Sequence, residues 1–117
     1  MAQSVTIYHN PRCSKSRQTL SLLQEQGVEP TVVEYLKTPP DAATLRALLN
    51  ALNCAPRELM RTKESAYTEQ QLDNADLSED ALIEAMVAHP ILIERPIVIN
   101  GDKAAIGRPP ENVLAII

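Results

Sequence analysis

The stretch from Val5 to Leu36, "VTIYHNPRCSKSRQTLSLLQEQGVEPTVVEYL", decides the fold. Val5-Thr6-Ile7-Tyr8 is a short β-prone run, and the Asn10-Pro11 pair breaks it. From about Ser14 to Gln26 the residues tolerate a helix, with Leu20 and Leu23 on one face, and Gly27 sits where a helix C-cap belongs. Thr31 to Leu36 reads as a second strand. Strand, helix and strand in one such stretch make a βαβ unit, which predicts a parallel pair joined by a right-handed crossover.

Working outward, Pro39-Pro40 stops the second strand. Asp41 is placed to cap a helix whose Leu45, Leu48, Leu49 and Leu52 follow the i, i+3, i+4, i+7 pattern. Pro56 suits the first turn of a short helix carrying Glu58 to Arg61. Thr68 with Gln71 has the spacing of a capping box. Ser78 precedes Glu79 and Asp80, which predicts a helix through Leu82, Ile83 and Met86 that ends before Pro90. Ile97-Val98-Ile99 and Ala104-Ala105-Ile106 flank Asn100-Gly101, a strong hairpin signal. Pro109-Pro110 leads into a last short helix with Val113, Leu114 and Ile117. The predicted order is β-α-β, helices, β-β, α, with no repeat, low-complexity segment or flexible linker. It describes one α/β domain over residues 1–117, with a mixed sheet of about four strands and a helical insertion at about 41–90.

A chain of 117 residues fits one domain with one core. It contains no Phe and no Trp, so Leu, Ile, Val and Ala must build that core. The net charge of -4 argues against a nucleic-acid binder, which is normally basic. The N-terminal residues carry neither the basic nor the apolar region of a signal peptide, and no run is long enough to span a bilayer. Two cysteines do not make a disulfide framework. The expectation is a cytoplasmic protein with reduced thiols and no membrane partner.

Cys13 falls at the boundary between the first strand and the first helix. Free N–H groups and partial positive charge at a helix N-terminus favour thiolate over thiol, and Arg12, Lys15 and Arg17 stand nearby. The size of the shift matters: a thiol of pKa ~8.5 is only about 3% ionised at pH 7, and one at ~6.5 is roughly 75% ionised. Cys13-Ser14-Lys15-Ser16 has the spacing of a redox C-x-x-C pair, with a serine in place of the second thiol. His9 closes the first strand, where it either partners Cys13 in proton transfer or stands as a surface histidine. Cys54 has no cationic cluster and reads as a packed or half-exposed thiol. His9, Cys13, Cys54 and His89 lack the spacing of a zinc site, so no metal is expected.

The segments "IYHNPRCSKSR" (7–17), "EPTVVEYLKTPP" (29–40), "RELMR" (57–61), "HPILIERPIVI" (89–99) and "IGRPPE" (106–111) together resemble the ArsC family of glutaredoxin- and glutathione-dependent arsenate reductases. The resemblance spans nearly the whole chain. It implies a thioredoxin-like (glutaredoxin-like) core and a catalytic group of Cys13, His9 and Ser16. Cys13 would attack arsenate, glutathione would displace the arsenic-bound thiol adduct, and glutaredoxin would reduce the resulting mixed disulfide, releasing arsenite. Glutathione is then a co-substrate, and no tightly bound cofactor is implied. Arg61, Arg95 and Arg108 match the family's oxyanion-binding arginines, and planar guanidinium groups suit a tetrahedral dianion. The resemblance also makes the proline after Arg95 a candidate cis residue facing the cysteine. Longer family members run past the last helix and carry a small residue where Arg12 stands, so this chain is more similar to the shorter YfgD-like subgroup.

Two other functions fit parts of the pattern. A general glutathione-dependent thiol oxidoreductase needs only Cys13, although disulfide exchange needs no trio of arginines. An Spx-like regulator that binds RNA polymerase would share the fold, but such switches commonly carry the second cysteine that Ser16 replaces.

Overall fold

The computed structural model describes residues 5–117. Strand β1 (Val5–His9) turns Val5, Ile7 and His9 inward and leaves Thr6 and Tyr8 half-buried, the period-2 pattern of a strand with one fully covered face. Helix α1 (Ser14–Glu25) follows and returns the chain to β2 (Thr31–Glu34), which pairs parallel to β1 with Ile7 opposite Val32 and His9 opposite Glu34. Strand β3 (Ile97–Asn100) pairs antiparallel on the other side of β1, placing Val98 opposite Ile7. Strand β4 (Lys103–Ile106) closes the sheet in the order β2-β1-β3-β4. This is the α/β class and the mixed four-stranded sheet that the sequence predicts.

The described chain divides into two compact units. One comprises the chain up to Thr38 together with Arg95–Ile117, and the other is Pro39–Glu94. In the first, Val5, Ile7 and Val98 of the sheet pack with Leu23 of α1, Val28, and Val113 of the C-terminal 3-10 helix (Pro110–Ile116). These are short aliphatic side chains throughout, as a chain without Phe or Trp requires. The β3–β4 turn sits one residue later than expected. Asn100 pairs with Lys103, so Gly101-Asp102 makes the turn, with Gly101 at φ +65°. Asn100 instead uses its side chain to donate to the Ile116 carbonyl at 2.6 Å, which ties the C-terminal turn to the sheet.

The second unit is helical: α2 (Ala42–Leu52), α3 (Ser65–Glu69) and α4 (Glu79–Ala88), with a 3-10 turn at Pro56–Leu59. Asp41 caps α2 by accepting from Thr44 N–H at 2.8 Å, and Ser78 caps α4 by accepting from Ala81 N–H at 3.1 Å. Leu45, Leu48 and Leu49 of α2 and Leu82, Ile83 and Met86 of α4 are buried, as their spacing predicts. The Thr68–Gln71 capping box does not form. Helix α3 starts four residues earlier, with Glu64 at the N-cap position and Thr68 inside the helix, and Gln71 takes a left-handed φ of +55° just beyond its end. Arg61 likewise lies past the short helix expected to carry it. It follows the Met60–Ile93 bridge and donates its N–H to the Leu92 carbonyl at 2.7 Å. The guanidinium of Arg57 reaches the Tyr67 hydroxyl (2.8 Å) and the carbonyls of Leu72 and Asn74. One side chain thereby holds the irregular segment after α3.

Candidate active site

Three hydrogen bonds shape the loop that presents Cys13. Cys13 N–H donates to the Asn10 carbonyl (3.0 Å), Arg12 N–H donates to Asn10 Oδ1 (3.0 Å), and the Arg17 guanidinium donates to the Pro11 carbonyl (2.8 Å). This tight turn delivers Cys13 in an extended conformation as the N-cap residue of α1, and the Cys13 carbonyl accepts the first helical bond from Arg17 N–H. Polar neighbours in the sequence suggest an open thiol, yet Cys13 is 8% exposed. The fold covers it and surrounds it with donors at the same time.

Those donors favour its ionisation. Burial pushes the Cys13 thiol up, but the backbone N–H groups of Ser16 and Lys15 and the charges of Arg95 and Arg108 together carry it below its ordinary value. Arg108 is in direct contact, with Nη2 donating to Cys13 Sγ at 3.6 Å. The cations that act are therefore partly not the expected ones. Arg12, Lys15 and Arg17 are close in sequence, but the side-chain charges acting on the sulfur belong to Arg95 and Arg108, from the far end of the chain. Lys15 contributes through its backbone, and Arg17 is turned toward Pro11.

His9 and Ser16 are both buried and joined to each other, His9 Nδ1 lying 2.6 Å from Ser16 Oγ. Ser16 Oγ also accepts from Asn10 N–H at 3.0 Å, which leaves its own O–H to donate to His9 Nδ1. That arrangement suits a neutral imidazole. Burial and, to a smaller degree, Arg17 lower the His9 pKa, while Glu34 opposes them. Of the two sequence readings, the surface histidine is excluded. The partner found is Ser16, whose backbone N–H in turn favours the Cys13 thiolate.

Arg95 and Arg108 flank β3 and β4, and Arg108 Nε donates to the Arg95 carbonyl at 2.8 Å, so each helps fix the other. Both arginines precede cis prolines, Pro96 as expected from the resemblance and Pro109 in addition. Gly107 lets this corner close against α1. A Cβ there would lie 2.5 Å from Thr19 Oγ1 and 2.9 Å from Pro96 Cγ. Its N–H donates to the Pro96 carbonyl (2.9 Å), and Thr19 Oγ1 donates to the Lys15 carbonyl (2.8 Å).

The first unit thus brings together His9, Cys13, Ser16, Arg95 and Arg108. Arg61 belongs to the second unit, where Glu64 pairs with its Nη1 and Glu94 stands 4.0 Å from its Nε. Cys54 is also in the second unit, and burial followed by Glu58 pushes its thiol up, away from nucleophile chemistry. Sequence reasoning missed Asn10, Thr19 and Gly107. Ser16, Thr19 and Leu23 are the buried face of α1 at i, i+3 and i+7, a signal obscured because two of the three are polar. Among the described residues no three His, Cys, Asp or Glu side chains come together as a metal site requires, and no helix is long and apolar enough to cross a membrane.

Fold and site together define a thioredoxin-like protein with a single N-capping cysteine whose thiol is made more acidic beside two arginines. The ArsC family model matches residues 8–116, and the chain belongs to the ArsC family. It is 63% identical over 118 residues to YfgD of Escherichia coli K12, covering 100% of this chain and 99% of that one. It is 52% identical over 114 residues to the arsenate reductase of Neisseria meningitidis serogroup B, covering 97% of each chain. Another relative, an arsenate reductase of Escherichia coli, is 42% identical, and the match covers 81% of its length, consistent with a longer subgroup. Among solved structures, the arsenate reductase of Vibrio cholerae superposes over 100% of both chains with a TM-score of 0.98 and 52% identity.

Proposed function

We propose that this protein reduces arsenate to arsenite, with glutathione as co-substrate and glutaredoxin reducing the mixed disulfide that results. The observation that carries the reading is the pairing of a buried cysteine sulfur with a guanidinium at 3.6 Å. A nucleophile for simple disulfide exchange has no use for such a donor fork, whereas a tetrahedral oxyanion does. The names of the relatives support the same reaction.

In the proposed sequence the Cys13 thiolate attacks arsenic and an As–O bond breaks, its oxygen leaving as water with protons from solvent. Arg95 and Arg108 hold the oxygens that gain charge during attack. Arg61 is proposed as the third arginine on the family resemblance, which requires exchanging its Glu64 and Glu94 contacts for the anion. The glutathione thiolate then attacks Cys13 Sγ, and the S–As bond breaks with its electron pair leaving on arsenic. Arsenic passes from the +5 to the +3 state as the two sulfurs form a disulfide. A glutaredoxin thiolate takes the glutathionyl sulfur and restores Cys13. His9 and Ser16 position the turn whose N–H groups face the sulfur. Both cysteines are free thiols, which supports a reducing, cytoplasmic setting.

The deciding assay couples arsenate to NADPH oxidation through glutathione, glutaredoxin and glutathione reductase, with phosphate run in parallel. Arsenate-dependent turnover is expected from the protein and none from Cys13→Ser. A wild-type protein that turns over disulfides but not arsenate would replace the reading with a general glutathione-dependent oxidoreductase. Cys54→Ala should keep most activity, and its loss would point to an internal disulfide instead.

A further inference from the structure

Within the first unit, the residues that follow Cys13 and those that follow Arg108 form the two walls of a cleft of about 600 Å³, a size typical of small-molecule sites. One wall is the outer side of α1 from Ser14 to Glu25, and the other is Pro109, Pro110 and Glu111. The walls begin at Ser14 and Pro109, the residues that directly follow Cys13 and Arg108, which are in contact at 3.6 Å. Its charge is divided. On the α1 wall Lys15 and Arg17 stand near the Cys13 end and Glu25 lies at the other, while the facing wall carries Glu111. Arsenate would be repelled by those carboxylates, so the cleft is ill-suited to a second oxyanion.

We infer that this cleft seats the thiol co-substrate, a short zwitterionic peptide with free carboxylates and one ammonium, of which glutathione is the example. The inference rests on the thiol-dependent reading above and adds where that thiol binds. The glycyl carboxylate of the peptide lies toward Lys15 and Arg17, and the γ-glutamyl end, which carries the ammonium, lies toward Glu25 or Glu111. This orientation carries the peptide sulfur toward the Ser14 and Pro109 end, the end nearest Cys13 in the chain.

Mixed-disulfide formation tests the cleft without arsenate. When the Cys13 thiolate attacks glutathione disulfide, a Cys13–glutathione bond forms, the original S–S bond breaks, and one glutathione leaves as thiolate. The rate is compared with that for the neutral bis(2-hydroxyethyl) disulfide, and the ratio of the two cancels any change in Cys13 itself. Wild-type protein should favour glutathione disulfide. The double reversal Lys15→Glu with Glu111→Lys, which preserves net charge at exposed positions, should lower the ratio roughly three- to tenfold. Reversal at the remote, exposed Asp73 (Asp73→Lys) should leave it unchanged. An unchanged ratio in the double reversal, no wild-type preference, or an equal drop with Asp73→Lys overturns the inference. Failure of the arsenate reading appears separately, as absent arsenate turnover with the preference intact.

Discussion

Arg108 touches the sulfur of Cys13 and the backbone of Arg95, so its removal acts on both ionisation and anion binding. In Arg108→Ala the pH midpoint for alkylation of Cys13 by iodoacetamide should move up toward that of an ordinary thiol. Because the thiolate is the reactive form, alkylation at pH 7 slows. The arsenate KM should rise about 10- to 100-fold, the worth of a hydrogen bond to a charged group. His9 supplies a second, opposite signature. Its folded pKa lies below the ordinary 6.5, so as pH falls past that value the unfolded chain takes up a proton that the buried ring refuses. Stability is therefore full above pH 6.5 and declines below it, and His9→Gln should flatten that decline in urea melts recorded from pH 7 to pH 5. The nucleophile was legible in the sequence because a strand end, a helix start and a cysteine meet there. Its charged neighbours were misread in part, since nearness along the chain says little about which side chains the fold turns toward a sulfur.

At the scale of elements, α1 serves the sheet with its leucines and the site with two hydroxyl residues. Leu23 packs on Val5, Ile7 and Val98, while Ser16 and Thr19 occupy the same buried face closer to Cys13. The leucine periodicity identified the helix but not its polar buried end, since hydrophobic patterning does not register a hydroxyl that is buried because it is bonded. Gly107 depends on that end. Gly107→Ala forces a Cβ into Thr19 Oγ1 and Pro96 Cγ and should destabilise the protein by about 1–3 kcal/mol in urea denaturation. In a Thr19→Ala background the same change should cost less, and equal costs in the two backgrounds would show that the clash is relieved elsewhere. Caps at Asp41 and Ser78 were readable because side chain and target lie three residues apart. The misplaced box at Thr68 shows the limit of that rule where Arg57 fixes the following segment from a distance.

At the scale of the molecule, a sheet-centred unit is interrupted in sequence by a helical one. Arg57→Ala should loosen the second unit by about 1–3 kcal/mol, read as faster amide exchange around Leu72 and Asn74, with protection in β1 and β3 retained. Topology carries a further consequence for Cys13. The groups that ionise it come from residue 13's own helix and from arginines more than eighty positions away. The arginine share of that activation arises only when the last hairpin has joined β1. Acidity at one atom is thus a gauge of chain completion. By linkage, the depressed thiol stabilises the seated hairpin above the pKa of the unfolded thiol, and that contribution fades as pH falls through the folded value. Capping Cys13 with a neutral adduct should erase the same contribution, so reactivity and closure of the sheet are two readings of one equilibrium.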